Sequence, residues 1–300
     1  MIDGKIYCFG EILWDNFPTG KLPGGAPLNV AYHAKNLGLN SFLYSATGMD
    51  EEGEDLKRFL SELEINLEYV SAIEGYPTGN VTVNVKNPKE VTYSIDSPSA
   101  WDFIALDKTL SDSLTINDII VFGTLSSRSI ESRVTLDALL ESPAYTVMDL
   151  NLRPPHYTKK LVARLLSQTN LLKVNREEYA QLAVWFNLAD DPKDGFQDLS
   201  NLFNITELVI TSGSKGSRFI SESVDVTSKK YDVVCADTVG AGDSFLAALI
   251  YGITHKYDHQ KMVDFASGLG ALVASKTGAT PKFTKEEIEE FIKPITTCTE

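Results

Sequence analysis

The chain has 300 residues, 43% of them hydrophobic and 23% charged, with three cysteines and a formal net charge of −14. That length can bury a large core, so one α/β domain with an appendage fits as well as two domains, and one main domain is expected. So acidic a chain argues against nucleic acid and against anionic membrane surfaces as partners, because both need a concentrated basic face.

Cys8, Cys235 and Cys298 lack any CxxC spacing, so neither a disulfide framework nor a zinc site is indicated and a reducing cytoplasm is the expected setting. The start MIDGKIYCFG has no basic segment followed by an apolar core, and no run approaches a membrane span. A soluble, unexported protein is expected.

Residues 6–9 read as the first buried strand, ending at Gly10 and Glu11, where the chain changes character. The stretch 13–23 is loop-like, with Trp14, Phe17 and two prolines. Gly24-Gly25-Ala26-Pro27 then opens a helix to about Leu37, with Pro27 acceptable in the first turn and Gly38 as the stop. A strand at 42–46, a helix at 52–63 and a strand at 67–70 follow, the alternation of parallel βαβ units. Between Gly79 and Asp96 the pattern breaks: Val81, Val83 and Val85 alternate with polar residues, Asn87-Pro88 turns, and Val91, Tyr93 and Ile95 alternate again. This hairpin has one apolar face and cannot stand alone in water, so it should cover something.

The alternation returns with strands at 119–122, 145–150, 171–174 and 208–211, helices at 130–140, 158–166 and 177–186, and a short β region before Tyr231. Helices at 262–276 and 285–292 close the chain, and the last residues, through Cys298 and Glu300, should fray.

Residues 237–245 read DTVGAGDSF. Tyr231, Val233 and Val234 before them read as a strand, and Phe245, Leu246, Leu249 and Ile250 after them recur at helical spacing, which makes the motif a strand-to-helix turn. Gly240 and Gly242 bring backbone close to whatever lies above the turn, and the unpartnered first amides of the helix make an anion site. A carboxylate beside a bound anion is repelled unless it serves a purpose. Asp243, in that first turn, has one if it accepts a proton from a hydroxyl that attacks the anion, which points to phosphoryl transfer to an alcohol. The plainer reading is that Asp243 only stabilises the helix start, where the dipole should keep it ionised. A P-loop needs a Gly-Lys-Ser/Thr ending, and a dinucleotide fingerprint needs a third glycine where Phe245 stands; neither fits.

Further stations follow predicted strand ends, the rim at which an open parallel sheet binds ligands. Asp15 lies in GEILWD, where Trp14 and Phe17 either stack on a sugar ring or belong to the core. In GGAPLNVAYHAKNLG the glycines permit close approach and Asn29 offers donor and acceptor to hydroxyls, while His33 reads as a packing or helix-surface residue. Asp149, Asn151 and Arg153 follow one strand, the last with a cationic fork suited to phosphate or an acidic sugar. Asn175 and Glu178, then Thr211, Gly213, Lys215 and Gly216, follow the next two. His255 and His259 have ligand spacing but no third ligand in evident reach, so no metal is expected there.

DTVGAGDSF and GGAPLNVA resemble the C-terminal and N-terminal signatures of the ribokinase-like, or PfkB, carbohydrate kinases, and the GGAPxNVA form looks most like the fructokinase branch. The resemblance spans nearly the whole chain. It implies a single α/β domain over 1–300, a doubly wound and mostly parallel sheet flanked by helices, with a small β lid from about 13–23 and 79–98. It also implies transfer of the γ-phosphoryl group of ATP, with Mg2+, to a free sugar hydroxyl. D-fructose is the favoured acceptor; 2-keto-3-deoxygluconate, ribose or a nucleoside is the alternative, and a catalytically silent sugar-binding relative is the non-enzyme alternative.

By that resemblance Asp243 is the base, the Gly240, Ala241 and Gly242 amides surround the moving phosphoryl group, Asp15, Gly24, Gly25, Asn29 and Asp243 hold the substrate, and Arg153 acts on the substrate or the moving phosphoryl group. Asn175, Thr211, Gly213, Lys215, Gly216, Gly242 and Ser267 fall on the nucleotide side, and Glu178 holds magnesium through water. Asp237, with Val239 and Gly278, falls where some relatives bind a monovalent cation, which leaves K+ open. A homodimer through the lid is expected.

Overall fold

The first strand, β1 (Ile6–Phe9), shows how the chain sorts its side chains. Ile6 and Cys8 enter one buried apolar cluster while Tyr7 and Phe9 enter another, as the two-residue period of a strand dictates. A sheet buried on both faces needs helices on both sides. The computed structural model describes residues 4–18, 20–87 and 90–293, without the side chains of 83–93. The turn expected at Asn87-Pro88 and the fraying expected through Cys298 and Glu300 fall outside the described residues.

In chain order the remaining strands are β2 (Leu13–Phe17), β3 (Gly20–Gly24), β4 (Ser41–Gly48), β5 (Tyr69–Ile73), β6 (Gly79–Asn87), β7 (Glu90–Ile95), β8 (Ile119–Gly123), β9 (Tyr145–Asp149), β10 (Leu171–Asn175), β11 (Glu207–Thr211), β12 (Ser217–Ser221) and β13 (Asp225–Thr227). The helices are α1 (Ala26–Asn36), α2 (Glu51–Glu62), α3 (Lys108–Ser113), α4 (Ile130–Leu140), α5 (Lys159–Leu166), α6 (Arg176–Phe186), α7 (Pro192–Phe203), α8 (Ala241–Thr254), α9 (His259–Ala274) and α10 (Lys285–Ile292).

The main sheet has nine strands in the order β13-β12-β11-β10-β9-β8-β1-β4-β5. The chain lays β4 and β5 on one side of β1, then returns to lay β8 to β11 in parallel on the other, and β12 and β13 add antiparallel edges. The direction of build reverses between β1 and β8, which opens a crevice at the carboxyl ends of the strands. Helices α1, α2, α8, α9 and α10 pack one face, and α3 to α7 the other.

A second sheet of four strands runs β3-β2-β6-β7. Its central pair β2–β6 is parallel and its outer pairs are antiparallel. The stretch 13–23, read as loop, is therefore mostly the β2–β3 hairpin. Backbone pairing with β6 overrides its weak strand signal, and Pro23 is tolerated because β3 is an edge. Leu13 and Val81, with Phe17 and Ile95, form its own small apolar cluster.

Two other expectations are corrected. Tyr231, Val233 and Val234 form no strand: Val234 is 90% exposed, and the amides of Ala236 and Asp237 bond the Ala274 carbonyl at the end of α9. The edge position of the sheet is already taken by β13, and strand propensity without an edge to pair with does not make a strand. The DTVGAGDSF segment is thus a loop-to-helix turn. Helices α3 and α7 were not read from the sequence, although Asp191 and Pro192 mark the start of α7 as cap and first-turn residue. Among the described residues no helix is long and apolar enough to cross a membrane.

Candidate active site

Gly240 is the N-cap of α8 at φ 75°, and no side chain caps the helix; the Ala241 amide turns back to the Thr238 carbonyl at 3.3 Å, which leaves the amides that follow it to face a ligand. A side chain at Gly240 would stand 2.5 Å from the Ala279 carbonyl, so the tight packing of this turn requires glycine. Asp243, one turn in, accepts a 2.8 Å hydrogen bond at Oδ2 from Asn29 Nδ2, a contact between residues 214 apart in sequence. Asn29 sits on α1, whose N-cap Gly25 has φ 117°, and is itself buried. Its Oδ1 has no partner among the described residues. An orphaned buried acceptor beside a carboxylate is a place for an incoming hydroxyl proton.

Burial pushes Asp243 up to about 6, and Asp149 adds to the rise, against the opposing pull of Asn29, Lys173 and Arg153. The helix dipole favours the ionised form, but loss of water outweighs it and raises the value; near neutrality the group is still mostly ionised, as expected, and is a stronger base than the dipole alone would leave. An acid in that range is a competent base near neutrality.

Two cavities meet at this turn. The larger, about 720 Å³, is lined by Asp15, Asn29, Arg153, Lys173, Glu178 and Asp243, among others. The smaller, about 310 Å³, is lined by Gly213, Gly216, Tyr231, Ser267 and Ala271, among others. Thr211, Thr238 and Gly242 line both. The α8 N-terminus is therefore the wall they share.

Most residues read from the sequence converge here. Asp15, on β2, faces the larger cavity, and burial pushes it up to about 6 while Arg153 pulls it down. Gly24 lies beside it on β3, where a side chain would run into the Asp15 carboxylate. Phe17 lines the same cavity, whereas Trp14 is core: it is buried and its indole donates to the Glu52 carbonyl at 3.0 Å. Asn151 and Arg153 line it from beyond β9.

Asn175 and Glu178 form a reciprocal cap on α6, and the second Glu178 oxygen accepts the Leu152 amide at 2.9 Å. Both residues still line the cavity. Ser267 bonds the Ser217 hydroxyl at 2.9 Å in the wall of the smaller one.

Others stay apart. Lys215 is exposed and lines neither cavity. Asp237 also lines neither; its carboxylate accepts the amides of Val239 at 3.0 Å and Gly278 at 3.2 Å. His33 is buried and its Nε2 donates to the Ala279 carbonyl at 2.9 Å, with burial holding its pKa down near 4, so it is neutral. His255 stacks on Tyr251, with centroids 3.8 Å apart.

Sequence reasoning passed over Lys173, Glu11, Thr238 and Tyr231. Lys173 had a visible signal, a cation inside the apolar strand LLKVN, which must find a partner; it pairs with Asp149 at 2.6 Å. Glu11 lines the larger cavity, and burial pushes it up to about 7. The Tyr231 hydroxyl is buried without a partner among the described residues, in a side chain that lines the smaller cavity.

Residues 5–286 match the pfkB family carbohydrate kinases. The chain belongs to that family. It is 25% identical to a fructokinase from Klebsiella pneumoniae over 93% of this chain and 95% of that protein. Its fold superposes with a TM-score of 0.83 on a fructokinase from Vibrio cholerae O395 in fructose-, ADP- and calcium-bound form, at 23% identity over 98% of this chain and 100% of the other. A fructokinase from Xylella fastidiosa with bound ATP gives 0.83 at 22% identity, over 97% and 98% of the two chains. As a pfkB carbohydrate kinase the chain keeps the family's ribokinase-like layout, with the small sheet placed beside the larger cavity: Asp15 and Val81 of that sheet line its wall.

Proposed function

We propose that this carbohydrate kinase transfers the γ-phosphoryl group of ATP to a hydroxyl of D-fructose. The observation that carries the reading is the Asn29–Asp243 hydrogen bond at the wall shared by the two cavities. It joins the polyol-binding signature to the anion-binding one. The sugar occupies the larger cavity against Asp15, Gly25 and Asn29, with Gly24 behind the Asp15 carboxylate, and the nucleotide base occupies the smaller one against Thr211, Gly213, Gly216 and Ser267. That the Vibrio relative binds fructose together with ADP, and the Xylella relative ATP, supports a site for each.

Asp243 accepts the hydroxyl proton as the new oxygen–phosphorus bond forms. The amides of the Gly240-Ala241-Gly242 turn, of which Ala241's must first leave the Thr238 carbonyl, stabilise the charge on the phosphoryl oxygens, and Arg153 adds its fork. Glu178, with Asn175 beside it, faces the phosphate side and fits a water-mediated divalent ion, since magnesium needs few protein ligands. Such an ion, held there, would supply positive charge to the phosphates. Asp237, which accepts the Val239 and Gly278 amides outside both cavities, is kept as the candidate for a K+ ion, and no step is assigned to one. The four-stranded sheet acts as a lid on a single kinase unit, excluding water from the transfer. Its free edge at β3 suits pairing with a second copy, and a cytoplasmic setting, where ATP is at hand, is part of the same proposal.

The test is an ADP-release screen over fructose, ribose, 2-keto-3-deoxygluconate, tagatose and adenosine. Fructose should give the highest kcat/KM. Preference for ketodeoxygluconate would instead assign Arg153 to a substrate carboxylate, and sugar binding without ADP release would leave a silent sugar-binding protein.

A further inference from the structure

Lys173 stands in the middle of β10, between Leu172 and Val174, both fully buried. Its own exposure is 6%. It is the register partner of Asp149 on β9, and Nζ lies 2.6 Å from Asp149 Oδ2. A buried ion pair costs more desolvation than well-packed apolar residues in the same place, so stability alone is a weak reason for one.

The surroundings supply a better reason. Lys173 lines the larger cavity, and its Nζ lies 3.4 Å from where a Cβ on Gly242 would be. Gly242 is one of the residues common to both cavities, so the ammonium sits at the point where a nucleotide and an acceptor would meet. The same wall carries Glu11, Asp15, Asp149, Glu177, Glu178 and Asp243, against Arg153 and Lys173 as its two cations. A polyphosphate brought into so acidic a wall is repelled unless a cation stands close to it. Asp149 engages one of the three ammonium donors, which leaves two for an incoming oxygen. Burial alone would favour loss of the proton, but Asp149, Asp243 and Glu178 together hold the pKa above its ordinary value, so the group stays charged.

We infer that Lys173 is a further catalytic residue of this kinase, contacting the phosphoryl group in flight, and that Asp149 is the positioning residue that aims it. The inference rests on the phosphoryl-transfer reading above. In the step, the bond between the sugar oxygen and the γ-phosphorus forms and the bond to the β,γ-bridging oxygen breaks. The electron pair leaves with ADP and the hydroxyl proton passes to Asp243. Lys173 keeps its own proton throughout and acts through charge and hydrogen bonds on the non-bridging oxygens.

The test compares Lys173→Met/Asp149→Asn, which removes both charges together, with Lys173→Arg and with Asp243→Asn. The double variant should bind ADP and D-fructose within a few-fold of the parent, lose about 10²–10³-fold in kcat, and lose the tightening of ADP binding that aluminium fluoride produces with D-fructose present. Lys173→Arg should recover part of kcat. A double variant that keeps more than about a tenth of the parental kcat, with the aluminium fluoride effect intact, overturns the inference. If Asp243→Asn also keeps its turnover, the kinase reading fails instead. Should the double variant misfold, the unsubstituted protein decides: in ¹⁵N-lysine-labelled chain the Lys173 ammonium resonance must move when aluminium fluoride joins ADP and D-fructose, and a static resonance removes Lys173 from the reaction.

Discussion

Asp243→Asn should make this protein more stable while nearly abolishing its turnover. The carboxyl is buried and its pKa rises from 3.8 to about 6, through burial first and Asp149 second. A raised folded-state value means that the favourable contribution is complete below the unfolded pKa and is lost as pH rises through about 6. Near neutrality the ionised group therefore costs the fold ~3 kcal/mol, from a rise of roughly two pKa units at about 1.4 kcal/mol each. The substituted amide is neutral, and its oxygen can still accept from Asn29 Nδ2. Most of the cost should vanish, which for a chain of this length raises Tm by about 4–5 °C. Over the same substitution kcat should fall by about 10²–10⁴-fold, the span of a lost general base. Melts of both proteins between about pH 4 and pH 8, read beside an ADP-release assay, test the two effects together. The stability gap should open as pH rises and close toward acid. A variant less stable than the parent near neutrality, or a gap that does not change with pH, would refute the placement of a costly buried charge at Asp243; unchanged turnover would refute its role as base.

Two further outcomes follow from the same geometry. In the free enzyme kcat/KM should climb with pH through about 6, where Asp243 and Asp15 both lose their protons, and then level off; the climb in kcat should be absent in Asp243→Asn, while Asp15 still titrates there and moves KM. Gly240→Ala forces a side chain to 2.5 Å from the Ala279 carbonyl at φ 75°, so it should lower Tm and cut kcat at least about tenfold, whereas ordinary activity with an unchanged Tm would show that the turn is not tightly held.

The outline of this fold was legible because its strands alternate cleanly with helices of ordinary length, and the two glycine signatures lie at turns where only glycine fits. Asp243 and Asn29 were each readable as types of residue in types of place. Their contact was not, because 214 residues separate them and only the packing of α1 on α8 brings them together. The pairing of Lys173 with Asp149 is hidden for a related reason: it depends on which strands become neighbours, and strand order is a tertiary property. The Tyr231–Val234 region failed in the opposite sense. Its β-branched and aromatic residues favour a strand, but β13 holds the edge, and the segment instead gives Tyr231 to the wall of the smaller cavity. Helix α7 shows its apolar face at Phe196, Leu199 and Phe203, yet Gly195 within it weakens the pattern; a side chain there would collide with the Tyr179 hydroxyl, so glycine is kept for packing.

An acidic chain that handles a polyphosphate must solve a problem of placement rather than of net charge. At separations beyond a Debye length the surplus of negative charge is screened, so what the phosphates feel is the few ångströms around the α8 turn. There the free amides and Lys173 stand against Asp149 and Asp243, and neither side can be built from local sequence alone. Helix α1 supplies the missing constraint. Asn29 and His33 are four residues apart and so share a face; one holds Asp243, and the other holds the Ala279 carbonyl that packs on Gly240. The helix that opens with the sugar signature thus grips the phosphate turn at two points. On the proposed reading, sugar and phosphoryl group would be brought into register by the same element, and the two signatures would work only as a pair.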